Sequence, residues 1–198
     1  MVVKYGTGGD AQYCYPGSDL LINKLGLTDE AGLEAAEVEL TQARIEQFKP
    51  DFDDISLSAL CGIHRFLFQD IYEWAGELRT VDISKGSTRF ANVSRVEPDA
   101  DKLFRALAQE GYLVGLPREQ FVAKLAHYYC ELNVVHPFRD GNGRAQRVLF
   151  EVISINAGYQ LRWEPIGRAE WQDANIAAYN CQPEPLTALL DRVLTPIL

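Results

Sequence analysis

Histidine is scarce in this chain, cysteine is unpaired and no long apolar run exists, and each shortage narrows what the protein can be. Residues 1–30 lack the basic start and continuous apolar run of a signal peptide. No segment approaches the length needed to span a bilayer. The expectation is a cytoplasmic protein with no membrane association. The four cysteines, Cys14, Cys61, Cys130 and Cys181, are far apart and form no CxxC pair. They are expected to be buried free thiols in a reducing compartment. Positive charge is also short: 19 Lys and Arg against 28 Asp and Glu leave a formal charge of −9. That balance weighs against direct nucleic-acid binding, which needs a basic patch, and is compatible with a basic partner. The phosphate-loop string GxxxxGK[ST] and the zinc-protease string HExxH are both absent. A metallohydrolase built on His127, His136 and Asp140 would leave the neighbouring arginines without a role.

What is present suits one globular domain, residues 1–198, with 47% apolar and 24% charged residues. Thr28 or Asp29 can cap a helix running to about Phe48, with Leu33, Ala36, Val38, Leu40 and Ile45 as its apolar positions and Pro50 as its stop. The spacing of Leu57, Leu60, Ile63, Leu67, Ile71 and Trp74 predicts a second helix from about Ser56 to Trp74, ended by Gly76. "LRTVDISKGSTRFANV" places β-branched residues on both sides of "KGS" and predicts a short hairpin over about Thr80–Val93. Helical patterns follow at about Pro98–Gln109 and Arg118–Val134, then after the glycine-rich loop to Gly158, in "RAEWQDANIAAYN" and in "EPLTALLDRVL". The fold class expected is mainly α, with one small β-hairpin.

One stretch concentrates the chemistry: "HPFRDGNGRAQR", His136 to Arg147. Its glycines let the backbone turn sharply and let an anion approach main-chain N–H groups. The helix that follows offers unpaired donors and a favourable dipole at its N-terminus. Arg144 and Arg147, at i and i+3, share a helix face and can bind neighbouring phosphates. Asp140 supplies a hard oxygen ligand for magnesium, which takes one or two carboxylates beside phosphates and water. His136 can accept a proton near neutral pH. Together these groups fit transfer from a nucleotide to a hydroxyl. Val134, Val135 and Phe138 are expected to anchor the loop in the core, and His64 and His127 to be structural.

The stretch resembles the Fic family pattern HxFx[DE]GNGRxxR, matched at His136, Phe138, Asp140, Gly141, Asn142, Gly143, Arg144 and Arg147. "YPGSDLLINKLG", "IHRFLFQDIYEWAGELRTVDISKG" and "GYLVGL" extend the resemblance over about residues 13–195. It implies a Fic-type helical domain whose hairpin is a flap. The implied activity is transfer of AMP from ATP to a Tyr, Ser or Thr hydroxyl of a target protein, releasing pyrophosphate. On that resemblance His136 is the base and Asp140 holds Mg²⁺. Gly141, Asn142 and Gly143 form the anion hole, and Arg144 and Arg147 bind the outer phosphates. Lys85, Gly86 and Phe90 become flap contacts to a target strand. The sequence does not reveal the pocket that reads the base, although Asn175 and Tyr179 lie in a plausible C-terminal region for it.

Many family members carry a helix with [ST]xxxE[GN], whose glutamate pairs with the second motif arginine. This sequence contains no such string; "TALLD", Thr187 to Asp191, comes nearest, and Asp191 is expected to be an exposed helix residue. The resemblance therefore implies a bacterial toxin restrained by a small antitoxin that supplies the glutamate. Some such toxins modify type II DNA topoisomerases, which makes gyrase a candidate target. Two other functions remain open on the sequence: transfer of another nucleotide or phosphate-linked group, and a nucleotide-dependent binding module without turnover.

Overall fold

The structure is a computed structural model that describes residues 12–86 and 88–197. The rest of the 1–198 domain, and the Ser87 position of the expected hairpin turn, lie outside the described residues. Asp29 starts helix α1 (Glu30–Gln47): its carboxylate accepts from Gly32 N, as the sequence predicts. The buried stripe of α1 is not the apolar one expected. It is Leu33, Glu37 and Thr41, at i, i+4 and i+8, while Val38 is 62% exposed. Helix α2 (Leu57–Phe68), capped by Ser56, buries Leu60, Ile63, His64, Leu67 and Phe68.

The expected continuation of α2 to Trp74 does not form. Beyond Phe68 the chain folds into turns, with Ile71 N and Tyr72 N both returning to Phe68 O at 2.9 Å. The turns keep the apolar residues inside by another route and stack Tyr72 on Trp74 at 4.3 Å. Gly76 closes this segment at φ +84, where a Cβ would meet Arg65 and lie 2.9 Å from Cys61 O. The hairpin is present and antiparallel, with strands β1 (Ser84–Lys85) and β2 (Thr88–Arg89) and Lys85 opposite Thr88. It is shorter than the predicted span, whose flanks lie outside the strands. The Asp82 carboxylate accepts from Val93 N at 2.7 Å and from the Asn92 side chain at 2.9 Å.

These contacts explain why helix α3 (Val93–Gln109) begins ahead of Pro98, which the sequence reading took as its start. Asn92 caps it and Asp82 places negative charge at its N-terminus. After a 3₁₀ turn at Gly111–Leu113 come α4 (Arg118–Val135), α5 (Asn142–Asn156), β3 (Tyr159–Leu161), α6 (Arg168–Tyr179), α7 (Glu184–Val193) and β4 (Leu194–Pro196). Strands β3 and β4 form a second antiparallel pair, Tyr159 opposite Pro196 and Leu161 opposite Leu194, where one hairpin had been expected. Strands this short leave no alternating pattern to read.

Helix α5 packs against α2 and α4. It buries Ala145, Val148, Leu149, Phe150, Val152 and Ile153, and each large apolar side chain so buried stabilises by about 1.5–3 kcal/mol. Phe121, Leu125, Phe138, Leu186 and Leu190 are buried in the same core. The α5 N-terminus is thereby fixed at the protein interior. The cysteines depart from expectation: all four are free thiols, but Cys14 alone is buried, Cys61 and Cys130 are half-buried and Cys181 is exposed. No helix among the described residues is long and apolar enough to cross a membrane.

Candidate active site

The segment between α4 and α5, residues 136–141, is buried throughout, as is Asn142 at the start of α5, so its main chain must find partners inside the protein. His136 is the left-handed C-cap of α4, with φ 49 and ψ 66, and its N–H donates to Leu132 O at 3.0 Å. A bulky residue in that conformation is strained unless its surroundings hold it. The Asn142 side chain bridges the bend by accepting from Phe138 N and donating to Phe138 O, each at 2.8 Å. Gly141 takes φ +77, and a Cβ there would collide with the Phe68 ring. Helix α5 has no side-chain cap, so its first amides end the bend as donors for an anion.

His64 holds this bend from beneath. Its Nε2–H donates to Asp140 O and its Nδ1 accepts from Gly76 N–H, both at 2.9 Å, which fixes one tautomer. The ring stacks on Phe138 at 3.9 Å. Burial pushes its pKa down to about 4, so it stays neutral and structural. His127, also expected to be structural, is instead exposed on α4.

His136 is in a different situation. Its Nδ1–H donates to Asn133 O at 3.0 Å, which leaves Nε2 as the basic nitrogen. The ring stacks on Phe90 at 3.7 Å between centroids and 14° between planes. Phe90 is thus both core of the hairpin, packed with Ile83 and Val81, and a support for the imidazole. Burial pushes the His136 pKa down to about 3, with Asp140 opposing the shift and Arg79 and Lys85 adding to it. The ring is therefore neutral, as a general base must be.

The two motif arginines have unequal environments. Arg144 donates to Glu37 Oε2 at 2.6 Å, lies 3.9 Å from Asp140 Oδ1 and sits over the Phe68 ring at 4.5 Å. Burial alone would lower its pKa, but Glu37 and Asp140 outweigh burial and raise it. The Tyr72 hydroxyl donates to the other Glu37 oxygen. Arg147 is half-exposed, its charge bearing on Tyr129 and Glu151, and no carboxylate among the described residues pairs with it. Gly143 is exposed at the start of α5, with open space where a Cβ would sit.

The fold therefore gathers His136, Asp140, Gly141, Asn142, Gly143 and Arg144 around one helix N-terminus. Lys85 and Gly86 are exposed at the turn end of the hairpin. Asn175 meets Asn133 through a 3.4 Å hydrogen bond, and the Tyr179 hydroxyl donates to Arg89 O at 2.7 Å. These contacts place α6 beside both the His136 end of α4 and the hairpin. Sequence reasoning missed Glu37, Tyr72 and Arg79. Only Glu37 left a signal: it lies midway between Leu33 and Thr41 on the i, i+4, i+8 stripe.

Asp140 is the group able to hold a cation. It is 4% exposed, and its Oδ1 accepts from Gly141 N at 2.5 Å. Among the described residues no cluster of three or more His, Cys, Asp or Glu forms a metal cage. One carboxylate beside a phosphate cradle suits magnesium, whose other ligands come from substrate and water.

Residues 54–154 match the Fic/DOC family model. Over 192 residues the chain is 43% identical to the Salmonella typhimurium protein named "Probable protein adenylyltransferase Fic", covering 97% of this chain and 96% of that protein. It is 46% identical over 172 residues to the Escherichia coli protein of the same name, covering 87% and 86%. The crystal structure of BepC from Bartonella tribocorum with bound AMPPNP superposes with a TM-score of 0.88 at 25% identity, covering 94% of this chain and 98% of that one.

Glu37→Ala should destabilise the protein by about 3–5 kcal/mol, because it leaves the Arg144 charge buried without its partner. Urea denaturation measures this, and a change below about 1 kcal/mol would mean that the pair is not formed as described. The two depressed imidazole pKa values set a pH dependence. Unfolded histidines bind protons from about pH 6.5 downward, while the folded His64 and His136 resist to about 4 and 3. Their contribution to stability is complete above pH 6.5 and is lost as pH falls toward those values. Thermal melts of wild type and His136→Asn between pH 7 and 4 should show a shallower decline for the variant, by up to about one proton.

Proposed function

The chain belongs to the Fic/DOC family, and on that premise we propose that it is a protein adenylyltransferase moving AMP from ATP to a Tyr, Ser or Thr hydroxyl of a target protein. The observation that carries this reading is a neutral, buried imidazole with its basic nitrogen fixed beside an uncapped helix N-terminus. His136 Nε2 takes the proton of the attacking hydroxyl, whose oxygen then bonds the α-phosphorus as pyrophosphate leaves. The amides at Asn142 and Gly143 stabilise the developing phosphate charge. The Asn142 side chain is committed to Phe138, so its part in binding the anion is through the main chain. Arg144 enters already oriented by Glu37, whereas Arg147 is available to the outer phosphates. Asp140 would hold Mg²⁺, which when bound neutralises charge on the phosphates. The edge of the hairpin would take the target segment as an added strand, with Lys85, Gly86 and Phe90 near it.

The same reading extends to regulation. The sequence holds no [ST]xxxE[GN] helix, and Arg147 is without a carboxylate partner among the described residues. A separate antitoxin donating a glutamate to Arg147 would displace the outer phosphate and restrain a toxin acting in the cytoplasm. A type II DNA topoisomerase such as gyrase is the target class to examine first.

Incubating a cell lysate with ATP labelled at the α-phosphate should label a protein in the presence of wild type. His136→Ala should lower that labelling by about 10²–10⁴-fold without loss of fold. Equal labelling from γ-labelled ATP would point to phosphoryl transfer and reject the reading. High expression of the lone chain should arrest growth, and His136→Ala should not. Normal growth with active protein present rejects the toxin assignment and leaves the chemistry standing.

A further inference from the structure

Arg79 is a heavily engaged side chain outside the motif, and nothing in the chemistry above uses it. Its guanidinium is fully buried and donates to four main-chain carbonyls: His136 O at 2.8 Å, Val81 O at 2.7 Å, Val135 O at 3.2 Å, and Ala91 O. Its own N–H donates to Pro137 O at 2.9 Å. Val81 and Ala91 lie on the two legs of the hairpin, and Val135 and His136 end α4. Among the described residues the one carboxylate within 4.0 Å is Asp82, whose side chain is 45% exposed. The Arg79 charge is therefore balanced chiefly by carbonyl dipoles, two of them at the negative end of α4. For stability alone, a buried ion so lightly paired is a poor choice beside an apolar residue of similar volume. The planar fork does what no apolar residue can, since it fixes four acceptors from two elements in one plane.

We propose that Arg79 is a positioning residue for adenylyl transfer, holding the His136 imidazole and the hairpin in a single fixed relation. The inference rests on the reading of His136 as the base. Arg79 grips the main chain on both sides of His136 and also the leg that carries Phe90, the ring on which His136 stacks. Releasing it would let the left-handed residue relax and the stack open, moving Nε2 relative to the strand edge where a target hydroxyl would arrive. Small displacements of a catalytic group are costly in rate. Sites for ATP at the α5 N-terminus would be left in place.

Arg79→Lys keeps the charge and the aliphatic stem, but one ammonium cannot reach four carbonyls. In the wild-type full chain, the His136 ring protons should resonate upfield in NMR spectra because Phe90 shields them, with His136→Ala assigning the signals. In Arg79→Lys those protons should move downfield, with ATP affinity in the presence of Mg²⁺ within about threefold and AMP incorporation into lysate protein down about tenfold to a hundredfold. Unchanged His136 resonances with undiminished incorporation overturn the proposal. Should Arg79→Lys fail to fold, the wild-type Arg79 Nε–H resonance decides: protection from solvent exchange and a shift on His136→Ala support the role, and rapid exchange overturns it. A wild-type chain that transfers no AMP rejects the enzymatic reading instead, and the resonance comparison still reports whether Arg79 holds the ring.

Discussion

Burying a stretch of irregular main chain creates a demand for hydrogen-bond partners, and the site follows from how that demand is met. Residues 136–141 belong to neither helix nor sheet, and the flanking helices meet only their outermost groups, His136 N–H and Gly141 O. Side chains supply most of the rest: from far along the chain His64 donates to Asp140 O and Arg79 to His136 O and to Val135 O at the end of α4, and from four residues away Asn142 spans the bend to Phe138. Each unsatisfied buried group would cost about 1–3 kcal/mol. The left-handed conformations at His136 and Gly141 persist because these bonds and the packed Phe68 and Phe138 rings leave the chain no alternative. Rigidity at the reacting end of the molecule is thus a by-product of main-chain satisfaction.

Charge is divided along the same helix face. Arg144 is turned inward and neutralised by Glu37, with Tyr72 completing the carboxylate. Arg147, one turn further along α5, has no such partner among the described residues. The face therefore presents one fixed and one open cation, a gradient from interior to cleft. An anion that extends along it meets preset geometry first and unspent charge second. That ordering suits a substrate whose reacting phosphorus must be held more firmly than its tail.

Much of this was legible in the sequence. The helices from α3 onward, the hairpin and the glycine-rich bend all announce themselves through periodicity, caps and turn residues. The motif residues could be named because their chemistry is compressed into one short stretch. What supports them could not. Glu37 lies on a helix whose apolar pattern suggested Val38 inside, and tertiary burial of a carboxylate overrides hydropathy once an arginine is there to receive it. Arg79 looks like an ordinary strand-flanking cation until four carbonyls are brought around it. The early end of α2 and the β3–β4 pair were equally hidden, because local turns and three-residue strands carry almost no periodic signal.

The roots of the hairpin have a thermodynamic corollary. Tyr13 contacts Thr80, Arg79 holds Val81 and Ala91, and Asp82 joins Asn92 to the first turn of α3. Fixing backbone costs about 1–2 kcal/mol per residue in entropy, and for residues 80–82 and 91–93 that cost was incurred when the chain folded. Under the proposed mode of docking, a peptide adding to the strand edge would not have to freeze those legs again. Its affinity would then come from a short row of main-chain hydrogen bonds, and a small edge would suffice without demanding a particular sequence.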